Sequence, residues 1–486
     1  MTLTKLEKNL SKKNVYIYGA GLYASILYAY IRCYGLEKNV QGFVVTQKKL
    51  NQERFYDKPL YEYGEENFYS NSFFCIAIKN AYDVEQRLIN DGIEDYCLLT
   101  SSIIKNIKKL IFQKISEKPV QRNKIFFDSF DGKGYGCNPK YIAQYLLEMH
   151  CDLDLVWDVV DGDDTELPTE INKVVRFSYE YYLAEYTSGI IISNCSIDSD
   201  LYRCKRKEQY LIQTWHGSGS YKKAGADMFE GDKNAIEELR KSYSIVDLCV
   251  SNTAGNTQMF RQAFFYKGEI AEYGSPRVDI IFHNEGVGEK IRKRLKIPKN
   301  KKILLYAPTF RDTVDDSFSY YDLDMERILE QLAKRFGGEY VLIYRFHQKL
   351  YQYGEGKNYY PYGKNITMYH DVMEFLVASD VLITDYSSIM WDFGLQRRPI
   401  FLYQNDAKQY TDDRGFYKPI STWPYPIAHT QEELLENIQK FDEQDYLNKL
   451  EAFIVADPSY DDGHATERVV ARMMDVIEHP EKYGKE

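Results

Sequence analysis

Short apolar runs alternate with helical patterns along nearly the whole chain, and this alternation limits the fold more than any other feature. After the first hundred residues the runs are Lys124–Phe127, Leu155–Val159, Gly189–Ser193, Tyr210–Thr214 and Asp247–Ser251. The region from 300 to 470 repeats the same order of strand and helix. Buried strands that alternate with helices form parallel sheets covered by helices. The pattern predicts an α/β protein with two Rossmann-like domains in this part of the chain.

The first hundred residues predict a further, smaller Rossmann-like domain. A strand at Val15–Tyr18 runs through a GxGxxA turn into a helix, and strands follow near Val40–Val45 and Phe73–Ile78. This is the spacing of a mononucleotide-binding unit. Thr46 stands where a ribose would need Asp or Glu. We therefore expect residues 1–102 to serve binding or assembly, with a dinucleotide site as the less favoured alternative.

A basic amphipathic stretch, residues 103–124, joins this domain to the rest of the chain. On an anionic membrane, each Lys or Arg near the surface contributes about 1 kcal/mol. The alternative is an interdomain helix whose apolar stripe packs on the protein, and the pattern leaves both open. The stripe and its lysines are Ile103, Ile107, Leu110 and Ile111 with Lys105, Lys108, Lys109 and Lys114.

Composition indicates a large enzyme that works in a reducing compartment. The 486 residues are 44% apolar and 28% charged, with a net charge of -10. Met1–Asn14 is polar and lysine-rich, which argues against a secretory signal, and no apolar run approaches the roughly 20 residues of a spanning helix. The eight cysteines are scattered without a Cys-x-x-Cys pair, which favours free thiols over zinc or disulfides. We expect a cytoplasmic protein without nucleic acid as a partner.

A histidine on a glycine-rich loop is the first candidate for catalysis. His216 follows the strand-like run Tyr210–Ile212 and is followed by Gly217. Glycine lets a ligand approach the backbone, and an imidazole can exchange a proton near neutral pH. Lys222 and Lys223 add cations that favour an anionic group. A surface or core histidine without function is the alternative.

Three more strand ends carry polar groups suited to an anion. Asp385, Ser387 and Ser388 lie between the apolar run Val381–Thr384 and a helical pattern, where the hydroxyls would cap the helix and bind a diphosphate. Capping alone is the alternative. In open α/β sheets, ligands bind outside the carboxyl ends of strands, so we expect an anion-binding crevice. The other two strand ends supply Thr309 with Arg311, and Arg345 with His347.

Motifs spread over residues 125–470 resemble one family in their order. The chain is similar to the CDP-glycerol:poly(glycerophosphate) glycerophosphotransferases, the polymerases and primases of teichoic-acid-type polymers. The matching segments are Phe127–Lys133 with Cys137–Lys140, Gln213–Lys223, Tyr273–Asp279, Tyr306–Arg311, Ser379–Phe393 and Arg414–Tyr417.

The resemblance implies a GT-B architecture, in which two Rossmann-like domains, here 125–290 and 291–486, face each other across a cleft. It implies transfer of glycerol phosphate or ribitol phosphate from a CDP-polyol to a hydroxyl of a teichoic-acid-like or capsular polymer, with release of CMP. His216 would be the general base and His347 the second catalytic histidine. The residues expected to hold the diphosphate are Thr309, Arg311, Arg345, Ser387, Ser388 and Arg414, with Asp385 orienting the turn or binding a sugar hydroxyl; Gly217, Lys222 and Lys223 would face the acceptor.

The family implies no obligatory metal or cofactor beyond a CDP-glycerol or CDP-ribitol donor. The acceptor would be lipid-linked or a glycan, and the enzyme would work in a bacterial cytoplasm, with the inner face of the plasma membrane as the surface for the basic stretch. Both a monomer and an oligomer are compatible with these features.

The chain departs from the family pattern at two loops. Ser218-Gly219 replaces the usual Thr-Pro, and Gln348 replaces the proline after the second histidine. These changes leave the polyol and the acceptor open. Two alternatives also stay open: a GT-B glycosyltransferase that uses a nucleotide sugar for surface polysaccharide, and a non-catalytic scaffold of a polymer-assembly complex.

Overall fold

The structure is a computed structural model of the chain. It describes residues 3–11, 14–48, 52–65, 72–160, 167–195, 197, 204–219, 221–229, 231–309, 311, 323–346 and 359–484. Three separate sheets organise these residues, and almost all strand pairs are parallel.

The first sheet has six strands in the order β3-β4-β2-β1-β5-β6, and only β3 and β4 pair antiparallel. Gly19 begins the predicted glycine turn with φ +123°, and a Cβ there would lie 2.8 Å from the Ala77 carbonyl oxygen. Only glycine fits so close an approach. The first unit comprises this sheet with α1 (Leu3–Leu10), α2 (Leu22–Cys33) and α3 (Tyr82–Asn90), its strands being β1 (Asn14–Tyr18), β2 (Val40–Val45), β3 (Arg54–Phe55), β4 (Lys58–Glu62), β5 (Ser72–Ile76) and β6 (Tyr96–Leu98).

The second sheet has seven parallel strands in the order β13-β12-β11-β10-β7-β8-β9. Its central strand β10 is buried at every position, as expected of a strand covered on both faces. The second unit comprises β7 (Gln121–Asp128), β8 (Asp154–Val159), β9 (Asn172–Val175), β10 (Ser188–Ser193), β11 (Tyr210–Gln213), β12 (Leu248–Val250) and β13 (Glu269–Ala271), with α5 (Cys137–Glu148), α6 (Tyr179–Thr187), α7 (Lys233–Ser244) and α8 (Ala254–Gln262); α4 (Ser101–Ile115) precedes it.

The third sheet has six parallel strands in the order β16-β15-β14-β17-β18-β19. Thr430 and Asp442 cap helices of this unit, and each accepts a hydrogen bond from a backbone N–H three residues ahead. The third unit comprises β14 (Lys301–Tyr306), β15 (Glu339–Tyr344), β16 (Lys364–Asn365), β17 (Val381–Thr384), β18 (Ile400–Tyr403) and β19 (Ile427–Ala428), with α9 (Asp279–Phe282), α10 (Val287–Leu295), α11 (Met325–Phe336), α12 (Met373–Ala378), α13 (Ile389–Gly394), α14 (Ala407–Arg414), α15 (Gln431–Gln439) and α16 (Glu443–Ala456).

The first and second units share one hydrophobic core, which the predicted boundaries did not anticipate. α4 lies within the stretch predicted as a connector, and its Ile104, Ile107 and Ile111 are buried in this core. α4 packs against both α2 and α6, and Arg32 of α2 forms an ion pair of 2.7 Å with Glu180 of α6. The apolar stripe therefore covers protein, which favours the interdomain helix over the membrane-bound one.

The last helix, α17 (Ala465–Glu478), packs away from the region that precedes it in sequence. Its Val469, Val470 and Met473 join Trp157 in the core on one face of the second sheet. Helix 465–478 thus belongs to the second unit, although the expected boundaries placed it in the domain 291–486. Apolar periodicity predicts that a helix is half-buried, but it does not say against which sheet.

Candidate functional site

The loop after β11 places His216 beside the carboxyl end of the second sheet. Trp215 has a left-handed backbone, with φ +56°, so the chain turns sharply before His216. The His216 Nδ1 atom is hydrogen-bonded to the backbone carbonyl oxygen of Asn194, which directly follows β10. A carbonyl oxygen only accepts, so Nδ1 carries the proton and Nε2 keeps its lone pair.

The surroundings of His216 keep its ring neutral near pH 7. The half-buried ring stacks on Trp215 at a centroid distance of 4.7 Å and meets Phe130 at 5.5 Å. Burial lowers the pKa of His216, and the nearby Arg277 lowers it further, while Asp131 acts in the opposite direction. A neutral imidazole with a free Nε2 is the form that accepts a proton.

At the third sheet, Asp385 joins two neighbouring strand ends. It follows β17, and its Oδ1 accepts hydrogen bonds from the Thr309 backbone N–H at 2.8 Å and from the Thr309 hydroxyl at 2.6 Å. Arg311 Nη1 lies 2.9 Å from Asp385 Oδ2. The structure thus brings Thr309, Arg311 and Asp385 into one cluster, with Asp385 orienting the two loops.

Arg311 has a second carboxylate partner, and its guanidinium also lies near two aromatic rings. Its Nε lies 2.5 Å from Asp406, and its guanidinium lies 5.0 Å from the ring centroid of Tyr386 and 4.8 Å from that of Tyr410. These two rings stack on each other at 3.9 Å. Burial alone would lower the pKa of Arg311, but Asp385 and Asp406 raise it, so the guanidinium stays charged.

Lys222 reaches this cluster from the second unit. Its Nζ lies 5.3 Å from the ring centroid of Tyr410, and burial lowers its pKa to about 7, with Arg414 and Arg311 contributing and Asp385 opposing. The sequence placed Lys222 on the acceptor side; the structure places it beside Asp385 and Arg311. Arg414, at the end of α14, is exposed.

A short antiparallel contact between the units holds Lys222 there. Lys222 forms a β-bridge with Phe416, and the next residue, Lys223, donates its backbone N–H to the Gly415 carbonyl at 3.2 Å. Gly415 has φ +70°, and a Cβ there would lie 2.9 Å from Lys223 Cδ. The Lys223 side chain itself is exposed.

The loop of His216 also touches the serine turn of the third unit. A Cβ on Gly217 would lie 3.8 Å from the Ser388 Oγ atom. Ser388 stands at the N-cap of α13, but its side chain makes no capping hydrogen bond. The expectation that the serines cap this helix is therefore wrong for Ser388. α13 is a helix of only six residues, and Ser387 and Ser388 are both half-buried.

Arg345 directly follows β15. Its Nη2 donates to the Tyr369 carbonyl at 3.1 Å, while its Nε is buried without a hydrogen-bond partner in the part of the chain that the structure describes. Burial lowers the pKa of Arg345, and Asp371 opposes this. His347, the second predicted catalytic histidine, lies outside the described residues.

Two residues of the site were missed by the sequence analysis. Asn194, which holds His216, directly follows β10, and Asp406, which holds Arg311, lies shortly after β18. Both stand just beyond a strand's carboxyl end, so the rule that found Thr309 and Asp385 applies to them as well. Among the described residues, no group of three or more His, Cys, Asp or Glu is arranged to hold a metal ion, and no helix is long and apolar enough to cross a membrane.

Comparison with known proteins points to one family. The model of the family described as CDP-Glycerol:Poly(glycerophosphate) glycerophosphotransferase matches residues 110–475. The teichoic acid poly(glycerol phosphate) polymerase of Staphylococcus epidermidis is 33% identical over 372 residues, which are 73% of this chain and 50% of that protein. The teichoic acid glycerol-phosphate transferase of Staphylococcus aureus is 32% identical over 390 residues, 76% of this chain and 98% of that protein. The chain thus spans about half the length of the polymerase and nearly all of the transferase.

Solved structures of the wall teichoic acid polymerase TagF share this fold. One of them aligns with a TM-score of 0.69 and 29% identity, covering 83% of this chain and 99% of that one. Another, with a TM-score of 0.68, is a TagF variant soaked with CDPG.

Proposed function

Because the chain belongs to the CDP-glycerol:poly(glycerophosphate) glycerophosphotransferase family, we propose that it transfers a polyol phosphate from a CDP-polyol to a hydroxyl of a growing teichoic-acid-like polymer and releases CMP. One structural observation supports this proposal at the level of individual residues. Gly217, next to the neutral His216 of the second unit, lies against Ser388 of the third unit, so a base and a diphosphate site meet across the two units.

The cleft between the second and third units corresponds to a GT-B arrangement in this proposal. Both sheets are parallel, and the polar residues that follow β10, β11, β14 and β17 all stand at carboxyl ends of strands. Contacts such as the hydrogen bond of 2.7 Å from the Tyr221 hydroxyl to the Tyr386 carbonyl support a defined approach of the two units. Ligands of open α/β sheets bind at such edges.

His216 is proposed as the general base of the transfer. The acceptor hydroxyl gives its proton to His216 Nε2, and its oxygen forms a bond to the phosphorus that carries the polyol. The bond from this phosphorus to the bridging oxygen breaks, and CMP leaves with that oxygen. Since Asn194 holds the Nδ1–H, the ring presents Nε2 to the hydroxyl. Such general-base catalysis is worth about 100- to 10,000-fold in rate.

Arg311 and Arg414 of the third unit and Lys222 of the second unit are proposed to bind the diphosphate. Arg311 is paired with Asp385, and the charges of Arg311, Arg414 and Asp385 all act on Lys222. Fixed cations and hydroxyls stabilise the charge that develops on the departing phosphate. The Ser388 hydroxyl lies beside the His216 loop, and Ser387 precedes it in the same turn. Roles of Arg345 and His347 in this site stay predictions.

We propose CDP-glycerol as the donor, with CDP-ribitol as the alternative. The family description and the TagF variant soaked with CDPG support glycerol. No metal or further cofactor is expected. The eight free cysteines agree with a cytoplasmic location, and a lipid-linked or glycan acceptor would have to reach the cleft there.

A donor panel tests the proposal. Purified protein with a polyol-terminated acceptor should release CMP from CDP-glycerol or CDP-ribitol, and His216→Ala should abolish most of it. Release of UDP or GDP from nucleotide sugars, with both CDP-polyols left intact, would favour the glycosyltransferase instead. Tight donor binding without turnover of any donor would favour the scaffold.

A further inference from the structure

Side chains hold three consecutive backbone carbonyls around His216. Asn138 Nδ2 donates to the carbonyl of Thr214 at 3.0 Å and to that of Trp215 at 2.9 Å. Arg277 Nη1 donates to the carbonyl of His216 itself at 2.8 Å. The backbone carbonyls of residues 214–216, which set the orientation of the imidazole, thus each accept a hydrogen bond from a side chain in another part of the second unit.

Asn138 and Arg277 also hold each other. The Arg277 backbone N–H donates to Asn138 Oδ1 at 3.0 Å, so the Asn138 amide uses its oxygen and its nitrogen on fixed backbone groups. The two residues are 1% and 5% exposed, which removes competing water. Both lie in segments that resemble the family, Cys137–Lys140 and Tyr273–Asp279, for which the proposed transfer gives no role.

The backbone between them is in a conformation that needs support. Trp215 has φ +56°, which a bulky side chain adopts only when its surroundings impose it. The two hydrogen bonds of Asn138 act on the carbonyls before and at this residue. Without them, relaxation of Trp215 would rotate His216 away from its present place.

The same arginine links the loop to the third unit. Arg277 Nη2 lies 2.8 Å from Asp392 Oδ2 in α13, and the side chains of this pair are 6% and 0% exposed. Ser218, two residues after His216, donates its hydroxyl to Asp392 and accepts a hydrogen bond of 2.9 Å from Asn252. The position of the His216 loop therefore depends on the third unit being in place.

We propose that Asn138 and Arg277 are positioning residues that aim His216 Nε2 at the acceptor hydroxyl, and that Asp392 ties this aim to the closed arrangement of the two units. The proposal rests on the role of His216 in the transfer described above. Neither residue touches the reacting atoms in this account; both act through the backbone of residues 214–216.

Steady-state kinetics test the positioning. Asn138→Leu removes the hydrogen bonds at similar size, and Arg277→Lys keeps the charge but loses the forked contact. Each should lower kcat by about 100-fold, as expected for a displaced catalytic group, while KM for the donor stays near the wild-type value. Asn437→Leu and Arg335→Lys are matched controls, because these residues also hold backbone carbonyls, of Ile427 and Phe441, away from the cleft. They should keep the wild-type kcat.

Titration of His216 gives a readout that does not need activity. Among the residues that the structure describes, Arg277 and Asp131 are the charged groups that shift its pKa. NMR of protein with 13C-labelled histidine, assigned through His216→Ala among the eight histidines, should show a higher His216 pKa in Arg277→Met and a lower one in Asp131→Asn. Arg277→Lys should retain the wild-type value, since it retains the charge.

Different failures have different signatures. Wild-type protein without CMP release would remove the proposed function, while the histidine titration would still show whether Arg277 faces His216. If Asn138→Leu or Arg277→Lys does not fold, Ser218→Ala removes a single hydroxyl and should lower kcat less, in the same direction and without a change in KM. Folded Asn138→Leu and Arg277→Lys proteins with the kcat of their controls would overturn the positioning role.

Discussion

Lys222 offers a quantitative test, because its pKa of about 7 puts its charge change within the range where enzymes are assayed. Burial disfavours the ammonium form, and the cations Arg414 and Arg311 add to this effect. The diphosphate of the donor binds the charged form, so donor affinity should be highest below pH 7 and fall as pH rises through it. The donor diphosphate itself keeps its charge over this range.

The size of the effect follows from one hydrogen bond to a charged group. Such a bond contributes about 1.5–3 kcal/mol, which corresponds to about tenfold to a hundredfold in affinity. The dissociation constant of CDP-glycerol should therefore rise by about that factor between pH 6 and pH 9, as measured by calorimetry without acceptor. Lys222→Met should bind weakly at every pH, and Lys222→Arg should bind well at every pH.

The exposed Lys440 supplies the control, because it pairs with Glu436 on the surface of the third unit. Lys440→Met should follow the wild-type curve. If wild-type affinity does not change between pH 6 and pH 9, or if Lys222→Met shows the same decline as wild type, Lys222 does not bind the diphosphate and the reasoning from its burial is wrong.

Three further predictions concern other parts of the chain. His216→Ala should lower turnover by about 100- to 10,000-fold and leave the donor dissociation constant within about twofold to threefold of the wild-type value. Rapid-quench assays measure the turnover and calorimetry measures the dissociation constant. Equal losses in both would make His216 a binding residue. Arg311→Ala should weaken donor binding. It should also lower the free energy of unfolding by about 3–5 kcal/mol, because Asp385 and Asp406 lose a buried partner. An unchanged denaturation midpoint would contradict the ion pairs. A chain that starts at Glu117 lacks α4 and should aggregate or melt at a lower temperature, since the first and second units share one core; a folded chain of wild-type stability would show that this core is dispensable.

Much of the fold follows from local patterns in the sequence. The predicted strands near Leu155–Val159 and Gly189–Ser193 are β8 and β10. Apolar periodicity reports which residues are buried, and strand length follows from it. The family is likewise confirmed by the match over residues 110–475.

Contacts between distant segments could not be predicted in this way. The placement of α17 on the second sheet and the core shared through α4 depend on which surfaces meet, and many pairings fit the same periodicity. Lys222 shows the same limit within the site. Its two neighbours in sequence, Tyr221 and Lys223, pair with the backbone of residues 415–417, which carries Lys222 into the third unit.

Polar residues at the carboxyl ends of predicted strands indicated part of the site. Thr309, Arg311 and Asp385 were predicted from this rule, and the structure brings them into one cluster. The carboxylate partner Asp406 also follows a strand, β18, but the sequence does not indicate that it pairs with Arg311. An acidic partner that orients a cation is as characteristic of such sites as the cation itself.

The central claim is that the phosphate travels with the polyol. 31P NMR of a reaction with CDP-glycerol and a glycerol-terminated acceptor measures this directly, since it resolves phosphodiester, CMP and CDP. The account predicts one new phosphodiester for each CMP released, at a rate that falls sharply in His216→Ala. Release of CDP without a new phosphodiester would contradict it.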